Sequence, residues 1–131
     1  MRTASCARQS AAYGVRVDAR SKSDLEAVSL DAMLDDLRTL VEIESPSLDV
    51  EALEASAPVL ADMIERHLGR PAELIPSPVG PHVHWTGGGE PRVLLLGHHD
   101  TVFPIGALAD RPFDVSDGRA TGPGACMDRP S

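Results

Sequence analysis

The residues best suited to chemistry are His98 and Asp100, in the run Arg92-Val93-Leu94-Leu95-Leu96-Gly97-His98-His99-Asp100-Thr101-Val102. In an extended segment, residues two apart point to the same side. His98 and Asp100 can therefore share one small volume. An imidazole that binds a divalent cation through one ring nitrogen is commonly held by a carboxylate at the other, which is one way to mount a hydrolytic metal. The competing reading is a loop histidine with an ordinary hydrogen bond. The aliphatic stretch Val93–Leu96 reads as a short strand buried on both faces, ended by Gly97. The pair then falls just past the carboxyl end of a core strand, where open α/β sheets place their ligands.

Other candidates are scattered along the chain. His82 and His84 lie two apart on a predicted strand. They are either two ligands of one ion or two solvent-facing positions. His67 falls late in a predicted helix, where a cation complements the dipole. His99 should point away from His98 and is not assigned to a metal. Cys126 is a soft ligand in principle and a small packed residue otherwise. Asp110, Asp114 and Asp117 read as loop and turn acids.

The elements that must position these groups follow from periodicity. Met33, Leu34, Leu37, Leu40 and Val41 recur at helical spacing, with Ser29 as N-cap and Asp31 favouring the positive end of the dipole. Pro46 stops this helix by disfavouring the α region at Ser45. A second helix starts near Asp49 and runs to Leu68, with Leu53, Ala57, Leu60, Ile64 and Leu68 as its apolar stripe. Pro58 should kink or divide it, and Gly69 supplies its C-cap. Strands are predicted at Ala72–Ile75, His82–Thr86 and Val93–Leu96, the last entered through the turn Gly87-Gly88-Gly89. Phe113–Val115 and Arg119–Thr121 form a hairpin around Asp117-Gly118. Helices followed by strands imply an α/β layer begun but not completed.

The chain has 131 residues, enough for one modest domain, and 12 basic against 20 acidic residues for a net charge of −8. Residues 1–24 run against that balance, with five basic residues against Asp18 and Asp24. They show no sustained period and read as a disordered basic extension. An acidic body argues against nucleic acid as a partner. Cys6 and Cys126 form no Cys-x-x-Cys pair. With no apolar run long enough to span a membrane and no secretory signal, a reducing cytoplasm is the default.

Three segments together resemble one family. Leu94–Pro104 is similar to the first metal-binding motif of the M20 family of zinc aminoacylases and carboxypeptidases. Gly118-Arg119-Ala120-Thr121-Gly122-Pro123-Gly124 is similar to the approach to its second motif. Leu40-Val41-Glu42-Ile43-Glu44-Ser45-Pro46-Ser47 is similar to the end of its first helix. Within the family the likeness is greatest to glutamate carboxypeptidases. It covers roughly residues 29–126.

The resemblance implies a three-layer α/β/α sandwich around a mixed sheet, present in part, with residues 25–131 as the N-terminal portion of the catalytic domain. It implies Zn2+ as cofactor, two ions in the intact family and at most one here, and a small peptide or N-acyl amino acid as substrate. His98 would be a metal ligand, and Asp100 would hold it from behind. The family's bridging aspartate falls at Met127, so Asp128 offers a carboxylate one residue out of register. The general-base glutamate, the remaining ligands and the dimerisation domain have no counterpart in the sequence. The expectation is therefore a zinc-dependent amide hydrolase whose fragment is inactive, its pattern broken by a frameshift or partial gene near residue 126. The alternative is a non-catalytic remnant, or a domain that binds a single metal weakly.

Overall fold

A computed structural model describes residues 29–125. Residues 1–24, Cys6, Cys126, Met127 and Asp128 lie outside them. Two helices come first. α1 (Leu30–Glu42) is capped by Ser29, whose side chain accepts from the Ala32 N–H. α2 (Val50–Leu68) is capped by Asp49, which accepts from the Ala52 N–H, and ends at Gly69 in the left-handed conformation. Both caps satisfy backbone N–H groups that the helix itself leaves unpaired. Pro58 does not divide α2, which runs unbroken through it.

The helices pack together, and α2, which also meets the strand pair Glu73–Ile75 and His82–His84, carries most of the buried apolar residues. Val41 of α1 and Leu53, Ala57, Ala61 and Met63 of α2 are buried. The expected stripe on α2 is therefore right at Leu53 and Ala57, but Leu68 is half exposed. Ser56 joins the buried face instead. His67, exposed in the last turn of α2, reaches back to α1. Its Nε2 pairs with the Asp36 carboxylate of α1, beside Arg66.

Two small antiparallel ribbons follow. β1 (Glu73–Ile75) pairs with β2 (His82–His84), with Glu73 opposite His84 and Ile75 opposite His82. This ribbon packs on α2. β3 (Asp114–Ser116) pairs with β4 (Arg119–Thr121) across Asp117-Gly118, both at positive φ. That is the turn predicted for a two-residue hairpin. Between the ribbons lies α3 (Ala107–Asp110), a single turn.

Helices and strands are thus both present. The strands of the described residues form two separate two-stranded antiparallel sheets, not one mixed sheet. The largest correction concerns Val93–Leu96. This segment belongs to no sheet, and its four side chains are between 77% and 91% exposed. A strand buried on both faces needs a neighbour at each edge and a layer on each side. The described residues supply neither. No helix among them is long and apolar enough to cross a membrane.

Candidate functional site

The segment after Gly97 is held by the end of α1. The Thr101 N–H donates to the Ser45 carbonyl at 2.7 Å, and the Ser47 N–H donates to the Thr101 carbonyl at 2.9 Å. These bonds make a short parallel bridge between Pro46 and Thr101. The Ser45 hydroxyl, in a residue only 2% exposed, donates to the His99 carbonyl at 2.7 Å. The Ser47 hydroxyl donates to the Thr101 carbonyl at 3.0 Å. The backbone is therefore pinned on both sides of Asp100.

Glu44 extends the same strap. Its carboxylate accepts from the Gly106 N–H at 2.9 and 3.0 Å and from the Leu108 N–H at 3.1 Å. These donors hold its carboxyl below the ordinary carboxylate value. Glu44 itself adopts a positive φ of 42°, unusual for a residue with a side chain. The strain is offset by a carboxylate that fixes the loop leaving the His98 segment.

The Gly122-Pro123-Gly124 turn comes in from the far end of the chain. A Cβ at Gly122 would lie 3.2 Å from Val41 Cγ1 and 3.3 Å from the Phe113 backbone. A Cβ at Gly124, where φ is +78°, would lie 2.8 Å from Thr101 Cγ2. Only glycine allows this approach with that backbone. Three segments far apart in sequence thus meet at Thr101. The hollow they enclose, lined by Glu44, Ser45, Thr101 and Pro123 among others, measures about 10 Å³. That is room for about one water, so it is no substrate pocket.

The His98 Nδ1 lies 3.1 Å from the Asp100 carbonyl and 3.3 Å from Asp100 Oδ1. Both partners are acceptors, so Nδ1 carries a hydrogen, and Nε2 is the nitrogen they leave unengaged. The ring is 75% exposed. The Asp100 carboxyl is held below its ordinary value, first by the neighbouring Ser47 hydroxyl and further by its own N–H and by the two histidines. It is thus a carboxylate at neutral pH, placed behind an imidazole whose other nitrogen is free to ligate.

His99 does something different. Its Nδ1 lies 3.1 Å from Ser56 Oγ, and that hydroxyl donates to the Leu53 carbonyl. With that proton committed to Leu53, Ser56 accepts from His99 Nδ1. Burial pushes the ring's pKa below the ordinary 6.5, against the opposing pull of Asp100. His99 is a packing residue that ties the segment to α2.

Sequence reasoning paired His98 with Asp100 but gave no role to Ser45, Ser47, Glu44 or Ser56. The signal lies in the Glu44-Ser45-Pro46-Ser47 run, whose local chemistry marks only a helix end. Among the described residues, no three His, Cys, Asp or Glu side chains gather around one point. The site fits one imidazole ligand with its orienting acid, and not a closed metal cage. Compared with known protein families, curated proteins and solved structures, the chain matches none.

Proposed function

We propose that this chain carries part of the metal centre of a zinc-dependent amide hydrolase, of the M20 carboxypeptidase and aminoacylase type. In this reading His98 is a ligand through Nε2, and Asp100 fixes its tautomer. The observation that carries it is the meeting of Ser45, Thr101 and Gly124 beside a His98 whose Nδ1 is already engaged by Asp100. Those are the three segments that carry the family resemblance, brought together from opposite ends of the chain.

A bound zinc would polarise a substrate carbonyl and lower the pKa of its water. The chain's own contribution is narrower. Asp100 holds the proton on Nδ1, and the strap holds Asp100. The substrate class is a small peptide or N-acyl amino acid, and neither nucleic acid nor a membrane is a partner. The three-layer sandwich belongs to this reading as the fold of the intact catalytic domain. Because the described residues present a single ligand, catalysis depends on groups outside them. The second reading, a domain that binds one metal weakly without hydrolysis, is favoured by that same single ligand.

The test is a Zn2+ titration of the full chain beside His98→Ala and Asp100→Asn. His98→Ala should lose the site, and Asp100→Asn should weaken it by about 10–100-fold. Equal affinity in all three would overturn the assignment. Turnover of acyl-glutamate substrates by this chain alone would exclude the second reading.

A further inference from the structure

β2 carries a pair of imidazoles that the His98 site does not use. His82 and His84 flank Val83, so both leave the same face of the ribbon. Val83 is the half-buried residue of the three, and the ribbon packs on α2. The two histidines therefore occupy the outer face and are exposed. Successive same-face positions on a strand are about 6.6 Å apart, a span that two imidazoles close by turning toward one ion.

A third group stands beside them. Glu73 is the cross-strand partner of His84, and its Oε2 lies 3.9 Å from His84 Nδ1. Directly opposed residues share a face and interact. A carboxylate on the Nδ1 side of His84 leaves Nε2 as the ligating nitrogen, the arrangement that steadies metal-bound histidines. The partner of His82 is Ile75, which offers no competing charge.

The scaffold is already in place. Gly80, in the connection between the strands, lies against Leu53 of α2, where an added Cβ would come within 2.9 Å of Leu53 Cδ1. Arg70 closes the other end by donating to the Gly87 carbonyl at 3.0 Å.

We infer that the outer face of the β1–β2 ribbon is a second metal site, in which His82 and His84 chelate one borderline divalent cation, with Glu73 steadying His84. Imidazole pairs of this kind suit Zn2+, Ni2+ and Cu2+ and leave the remaining positions to water. No three groups close around a point here, so the site is an open two-imidazole chelate. It does not depend on the His98 reading.

The experiment uses the full chain carrying His98→Ala, which removes the first proposed site. NiCl2 is titrated calorimetrically, and paramagnetic broadening of the histidine ring resonances locates the ion. The expected result is one bound Ni2+ with the His82 and His84 rings broadened first. His82→Ala or His84→Ala should weaken binding by about tenfold or more, and Glu73→Gln by less. All three side chains are exposed, so thermal melting of each variant should match the parent. Absence of binding, unchanged affinity in both histidine variants, or broadening centred on His67 would each overturn the proposal.

Discussion

The α1–α2 pair is amphipathic and the Val93–Leu96 segment wholly aliphatic, yet it is the helices that bury apolar side chains and the segment that leaves its own exposed. Leu53 is 6% exposed and Ala57 fully buried, whereas Leu95 and Leu96 are each 91% exposed. The difference lies in where the backbone finds its hydrogen bonds. A helix satisfies its own N–H and C=O groups, so two amphipathic helices need only each other to bury a stripe. A strand cannot do so, and an interior strand needs partners on both edges. Apolar composition alone does not bury a segment. The segment's end at Thr101 is ordered because the α1 strap supplies the bonds that a sheet would otherwise have given.

Three measurements break or sharpen that contrast. The largest effect is expected from Leu53→Ala, which should cost about 2–5 kcal/mol in denaturant unfolding, whereas Leu95→Ala should stay within about 0.5 kcal/mol. Similar losses at both positions would mean that Leu95 is packed in solution and the contrast false. Ser45→Ala comes next, at about 1–3 kcal/mol, because it leaves the His99 carbonyl without its buried donor. If that variant unfolds like the parent, the strap is not what holds the His98 segment. The smallest effect concerns pH. His99 has a folded pKa below its ordinary 6.5, so the unfolded chain binds a proton more readily than the folded one. Stability should be fully present above about pH 6.5 and fall as pH drops below it. His99→Gln should flatten that slope. An unchanged slope would show that the ring is not buried against Ser56.

Some of this architecture could be read directly. Ser29, Asp49 and Gly69 mark helix ends by local chemistry, and the Asp117-Gly118 turn declares its hairpin. Pro58 misled, because a proline's effect on a helix depends on what packs around it, and α2 passes through unbroken. The His98–Asp100 pair was legible because a two-residue spacing needs only extended backbone. The strap was not. Ser45 and His99 are 54 residues apart, and nothing local tells a serine that caps a helix end from one that reaches across the molecule.

What the sequence determined by itself was everything set within a few residues: helix ends, the hairpin turn, the His98–Asp100 pairing and the shared face of His82 and His84. Tertiary structure alone decided that Ser45, Thr101 and Gly124 meet, that His99 turns inward onto Ser56, and that Val93–Leu96 stays uncovered. The physical reason is range. Dihedral preferences and side-chain periodicity act between near neighbours, whereas hydrogen bonds across 54 residues and the burial of a strand depend on which distant surfaces the chain brings together.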